Sequence, residues 1–197
     1  YTLIPNTAQR WTFTGTGSDA ILYVIPANVN VDTVCVSAHN LNAAGATIQA
    51  FYSTGVSSSL ISFAASQTPT TDNSIMFHVG ASVSARRIQI NITGASGSVF
   101  VGSIYAGVAL QMQRPFYGGH TPAVLARQAD YYSSMTESGN FIGVEVRRRA
   151  LESSADWKNI TDTWYRQYVV PFLVSAETLP FVFAWNLLEH PTDVAYC

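Results

Sequence analysis

Residues 86–94 read RRIQINITG, and the alternation inside this short run decides the fold class. Ile88, Ile90 and Ile92 fall on one side of an extended chain, and Gln89, Asn91 and Thr93 fall on the other. That period of two is what a strand with one buried and one wet face requires. GASG at residues 94–97 supplies its turn. Outward from this run the pattern repeats. AILYVIP (20–26), VDTVCVSA (31–38), ATIQAFYS (46–53), SIMFHVG (74–80) and SVFVGSIYAGVAL (98–110) are β-branched and aromatic runs separated by Gly, Asn, Ser or Pro clusters. Short runs of that kind predict a mainly β chain beginning with an antiparallel sandwich, and no helical period competes with it.

The second part differs in charge and in mixture of elements. Up to residue 113 the only formal charges are Arg10, Arg86, Arg87, Asp19, Asp32 and Asp72, and the remaining charges begin at Arg114. Pro115, Gly118, Gly119 and Pro122 punctuate the junction, so two parts are expected, residues 1–113 and 114–197. In the second, AVLARQADYYSSM (123–135) and NFIGVEVRRRAL (140–151) flank TESG, a hairpin with Gly139 at the left-handed position. A helix follows, capped by Thr161 or Asp162, with Trp164, Tyr168, Phe172 and Ala176 on one face. Pro171 is expected to kink or end it near Val170, because it removes a backbone donor. LPFVFAWNL (179–187) is the last strong strand, HPTD (190–193) its turn, and DVAYC a short edge.

Composition narrows the function. Only 11% of residues are charged, against about 25% in an ordinary soluble domain. Such a surface suits burial against other subunits, or else it is a Ser- and Thr-rich β surface that stays wet without charge. The net charge of -2 gives no footprint for nucleic acid or an anionic membrane. No apolar run reaches the 18 or so residues of a spanning helix, and YTLIPNTAQRW carries neither the basic nor the apolar region of a secretory leader, so a soluble chain without an address is expected. Two cysteines, Cys35 and Cys197, are too few for a disulfide framework or a zinc site. Cys35 reads more simply as a small buried hydrophobe than as one end of a 35–197 bridge.

Chemistry-bearing patterns are sparse. His39, His78, His120 and His190 show no metal-ligand spacing, and turn or core roles account for them. Glu145, Glu152, Asp156, Asp162, Glu189 and Asp193 lie in the charged half, where solvated faces are the default. No nucleophile elbow or phosphate-cradling glycine loop is present, so no catalytic residue, cofactor or metal is expected. The sharpest charge feature is Arg147, Arg148 and Arg149. A regular strand sends the first and third to one face and the second to the other. They form salt bridges between subunits, or an internal network with Glu145, Glu152 or Asp156. Trp157, Trp164, Tyr165, Tyr168, Phe172, Phe181, Phe183 and Trp185 crowd one stretch, either as core or as the aromatic anchors of an interface. Candidate interface residues are therefore Arg147, Arg148, Arg149, Trp157, Trp164, Arg166 and Trp185.

Two resemblances add to these readings. SAHNLNAAGATIQAFYSTG (37–55) and ARRIQINITGASGSVFVGSIYAG (85–107) resemble the jelly-roll sandwich of discoidin and galactose-binding-like domains. That family often binds sugars or lipid head groups through loops at one end. Here the matching residues are mainly core, and the loops GTGSDA and SQTPTTDN lack an aromatic spike or basic cluster. TESGNFIGVEVRRRA (136–150), WYRQYVVPF (164–172) and PFVFAWNLLEHPTDVAY (180–196) resemble structural proteins of tailed bacteriophages, although Asn186 stands where that family has an arginine. This second resemblance implies a non-enzymatic virion component of the distal tail or tail tip, with a tail-tube-like second part. It implies assembly as a homo-oligomeric ring with other tail proteins, in the virion tail and in host cytoplasm beforehand. The alternative is a carbohydrate-binding adhesin module of a tail fibre or capsid decoration protein, with a host-surface glycan as partner.

Overall fold

The computed structural model describes residues 9–116, 119–122 and 125–197, and only the backbone of Arg127 and of residues 148–151. The leader reading of residues 1–8, the punctuation at Gly118, the strand start at Ala123 and Val124, and the side chains of Arg148 and Arg149 lie outside that description. The chain is mainly β and clusters into two compact units, one running through Gln111 and including Thr163–Cys197, the other Met112–Asp162.

The first unit is built on a six-stranded antiparallel sheet of order β1-β6-β2-β5-β3-β4. Its strands are β1 (Trp11–Phe13), β2 (Gly17–His39), β3 (Thr47–Ser53), β4 (Ile61–Ser62), β5 (Ile75–Ala95) and β6 (Val99–Gly107). Where the sequence suggests separate runs at 20–26 and 31–38, the structure has one strand of 23 residues; likewise 74–80 and 86–94 join into one of 21. The chain stays extended across Pro26, but the ladder does not: Val24 pairs Arg87, Val29 pairs Ala85, and residues 25–28 pair with nothing. Proline is tolerated there because no sheet partner needs its missing N–H, and the Arg86 guanidinium donates to the Pro26 carbonyl across the gap.

This break divides the sheet. The first part of β2 pairs with the last part of β5, which also carries β3; the last part of β2 pairs with the start of β5 and, on its other edge, with β6. Both halves contribute to a single buried cluster. Ile88, Ile90 and Ile92 sit in it beside Ile48 and Ala50 of β3 and Ile21 of β2, joined by Val34, Val36, Val101 and Ile104 from the other half. The sheet thus folds over one core as a sandwich. Residues 33–37 of β2 are buried on both faces, Cys35 among them. Burial pushes the Cys35 thiol up to about 12, and both cysteines are free thiols.

From Thr163 onward the same unit holds a strand pair and all but the first residue of a helix that starts at Asp162, the last residue of the second unit. Asp162–Trp164 (α1) continues through a π-turn at Tyr165–Val169 into Val170–Ala176 (α2). Of the two outcomes expected at Pro171, a kink or an end, the end does not occur: the helix runs on to Ala176. The π-turn before it bonds the Val170 N–H to the Tyr165 carbonyl, five residues back, and the added residue rotates the faces. Val169 is buried and Tyr168 exposed, although a spacing of four placed Tyr168 inward. Thr161, a candidate cap, donates its N–H to the Gln113 side chain and accepts from it. β9 (Val182–Ala184) pairs antiparallel with β10 (Val194–Tyr196), with 190–193 in the connecting turn.

The second unit is organised by the hairpin β7 (Arg127–Met135) and β8 (Phe141–Leu151). Gly139 takes φ +80 in its turn, where the Thr136 N–H donates to the Asn140 carbonyl. Ile142 and Arg147 are extra residues in β8, so the strict alternation expected for 147–149 breaks at Arg147.

Replacing Ile90 by Ala removes side chain from the centre of the cluster and should cost about 2–5 kcal/mol in chemical denaturation. Thr93→Ala, on the exposed side of the same strand, should stay within about 0.5 kcal/mol.

Candidate functional site

The connection from β3 to β5 ends in QTPTTDNS at residues 67–74, a run of turn formers. It is pinned to the sandwich at both ends. Gln67 exchanges two backbone hydrogen bonds of 2.8 Å with Ile48, and its side-chain amide donates to the Met76 carbonyl at 3.3 Å. The Thr68 and Thr47 hydroxyls meet at 2.8 Å. Asp72 Oδ1 accepts from the Asn42 N–H at 2.9 Å, tying this loop to the one after β2. The Asn73 amide donates to the Thr192 carbonyl at 3.4 Å, across to the β9–β10 turn.

Between loop and turn lies an open cleft of about 450 Å³, lined by Gln67, Thr68, Pro69, Thr70, Thr71, Asn73, Ser74, Ile75, Pro191 and Thr192. Its lining residues carry hydroxyls and carboxamides, but the surface they present to the cleft is mostly apolar. No charged or aromatic side chain lines it. Gln67 and Thr68 hold the loop through their side chains, and the Asn73 amide is bonded to Thr192.

Behind the loop sits His39, at the end of β2. Ala38 before it has φ 54, a left-handed conformation uncommon for a residue with a Cβ. The His39 ring is buried, and its Nδ1 accepts the Leu41 N–H at 3.3 Å, which places the proton on Nε2. Nε2 itself has no hydrogen bond of good geometry. Burial lowers the imidazole's affinity for a second proton, and the nearby Asn73 backbone and Asp72 carboxylate, 4.0 Å from Nδ1, only partly offset this. His39 is neutral at neutral pH.

A second polar cluster reaches the end of the first unit. The Thr33 hydroxyl donates to Asp32 Oδ1 at 2.8 Å and lies 2.9 Å from His78 Nδ1, whose N–H it accepts. His78 Nε2 then accepts from the Gln111 amide at 2.9 Å, and Asp32 Oδ1 also accepts the Ala109 N–H at 2.8 Å. Thr33 is 3% exposed, so the cluster is a clamp holding residues 109–111 to the sheet rather than an accessible nucleophile.

The sequence-derived interface candidates do not form one patch within either unit. In the second unit Arg147 is exposed with its guanidinium 5.3 Å from the centre of the Tyr132 ring, and Trp157 packs on Phe116 at 4.9 Å. In the first, Trp164 is half-buried against Tyr168 at 5.7 Å, Arg166 is exposed on the π-turn, and Trp185 stacks on His190 at 4.8 Å with its indole N–H 3.3 Å from Asp193. Among the described residues no group of three or more His, Cys, Asp or Glu could hold a metal ion. The sequence shows SQTPTTDN (66–73) as a loop without an aromatic spike or basic cluster, but it does not reveal the roles of His39, Asp72 and the Thr192 wall, because each joins distant segments and no local signal marks the pairing.

The sequence matches no protein-family model and no curated protein. Among solved structures, the chain is similar over 56% of its length to a Ruminococcus gnavus GH29 fucosidase mutant in complex with fucose, with a TM-score of 0.47 and 15% identity, and it spans only 22% of that chain. It is similar over 55% of its length to 78% of a pectin binding carbohydrate binding module, with a TM-score of 0.45 and 12% identity. CBM32 of AlyQ in complex with 4,5-unsaturated mannuronic acid aligns with 55% of this chain and 84% of its own, with a TM-score of 0.44 and 19% identity.

A histidine whose pKa is lowered by folding binds fewer protons than its unfolded counterpart. Its contribution to stability is complete above the unfolded value near 6.5 and is lost as pH falls from there through the folded value. The melting temperature should drop between pH 7.5 and pH 5, and His39→Gln should flatten that drop while lowering stability at pH 7.5.

Proposed function

We propose that the protein is a non-catalytic glycan-binding module whose sandwich presents the 67–75 cleft to a carbohydrate. The observation that carries this reading is the lining itself: threonine hydroxyls and carboxamides grouped on a loop that the sandwich pins at both ends. Such groups match vicinal sugar hydroxyls, each able to donate and accept. The resemblance of residues 37–55 and 85–107 to galactose-binding-like sandwiches supports it. No carboxylate lines the cleft, so the flanking acid and base of a glycosidase have no place there. Without an aromatic platform the affinity for one glycan unit should be millimolar, about −4 kcal/mol, and useful binding would come from several copies acting together. Binding to immobilised oligosaccharides should be measurable and should fall at least about tenfold in a Thr70→Ala, Asn73→Ala double variant, the loss of roughly 1.4 kcal/mol expected for two hydrogen bonds. Silence across a broad glycan array would contradict the reading.

A second reading, a structural component of a bacteriophage tail, rests on the resemblance of residues 136–150, 164–172 and 180–196, and a different observation supports the protein contact it requires. The β7–β8 hairpin has one apolar face: pairing puts Tyr131, Val144, Val146, Met135 and Phe141 on one side, and Tyr131, Met135 and Phe141 are 68%, 65% and 64% exposed. A lone two-stranded ribbon is marginal in water, and an exposed apolar face of this kind marks contact with another protein. On this reading light scattering of the purified chain should show oligomers at concentrations of about 10 µM, the scale set by micromolar association. A strictly monomeric species well above that concentration, with no binding to tail proteins, would count against it.

A further inference from the structure

We propose that the cleft selects neutral sugars and rejects anionic ones, uronic acids and sulfated sugars included; this rests on the glycan-binding reading and goes beyond it to the ligand's charge. A carboxylate or sulfate on a ligand needs a cation or a fan of N–H donors to replace its hydration. No Arg, Lys or His lines this cleft, and one of the two Asn73 carboxamide N–H groups already donates to Thr192, so no fan of N–H donors is formed.

The local field adds repulsion. Asp72, between the lining residues Thr71 and Asn73, puts a carboxylate in the same loop, and that carboxylate is fixed by the N–H groups of Asn42 and Ala43 at 2.9 and 3.4 Å. The positive group that could cancel it is His39, 4.0 Å away, and burial keeps that imidazole neutral. The loop therefore carries an uncompensated negative charge beside a surface whose remaining groups are neutral. A sugar hydroxyl loses little in such a field. A second carboxylate within the cleft's span is disfavoured by at least about tenfold at low salt, the scale of a like-charge contact at partly solvated distance.

The test uses the intact chain and pairs of oligosaccharides of identical linkage that differ only in oxidation at C6, α-1,4-galacto-oligosaccharides against oligogalacturonate and β-1,4-mannan oligosaccharides against their C6-oxidised counterparts. Titration calorimetry at low ionic strength should show the neutral member binding at least about tenfold tighter. The gap should narrow at roughly 0.5 M salt and in Asp72→Asn, which keeps the Oδ1 acceptor for the Asn42 N–H while removing the charge. Equal or tighter binding of the uronates would overturn the selectivity and leave the glycan-binding reading standing. Failure of both members of every pair to bind would overturn both together.

Discussion

The ladder between β2 and β5 is the constraint on which the first unit depends. These two strands run the length of the sheet, and each half of the sheet is completed by pairing to a different part of them. Because the ladder lapses at residues 25–28 without the chain leaving its extended course, the inner faces of both halves meet in one core. Burial of Ile88, Ile90 and Ile92 then fixes the register of everything else, since a one-residue slip would turn all three isoleucines outward. The other side of β2 carries Thr33, Cys35 and Ser37, all buried, and Thr33 joins the polar clamp through His78.

The cleft inherits its shape from that register. Gln67 reads the backbone of Ile48, whose own strand is aligned to β5 by Ile92, and Asp72 reads the amides that follow β2. The loop is thus held from two strands that the core has already aligned, so its hydroxyls and carboxamides form a surface instead of a mobile tether. His39 belongs to the same logic. A neutral buried imidazole under Asp72 leaves the carboxylate its charge, and a structural histidine thereby sets the electrostatics of the loop above it.

How much of this was legible in the sequence depends on the range of each interaction. The alternation of RRIQINITG and the Gly139 turn are local, and the structure has them where the residues place them; the strand pair around residues 190–193 is present too, but the strand expected over 179–187 is only Val182–Ala184. Pro26 and Gly80 read as breaks, yet the strands pass through them, because a proline or glycine at a gap in the ladder leaves no sheet partner wanting. Pro171 read as a kink or a stop, and with a π-turn before it the helix goes on to Ala176. At Arg147 a bulge overrode alternation. For the candidate site, the loop could be seen as polar, but its opposite wall is 119 residues away at Thr192, a distance across which a single sequence carries no signal.

On the two proposed readings different surfaces take partners of different kinds: a cleft on the sandwich with no charged side chain in its lining, and an apolar ribbon in the second unit. The claim that the sandwich exists to present the cleft is tested most directly by nuclear magnetic resonance. An isotope-labelled chain is titrated with a neutral galactan oligosaccharide, and its backbone amides are followed. The account predicts shifts concentrated in residues 67–75 and 191–192, with the amides of Asn42 and Ala43 following as Asp72 adjusts. Shifts confined to other segments, with the loop unmoved at saturating sugar, would contradict it.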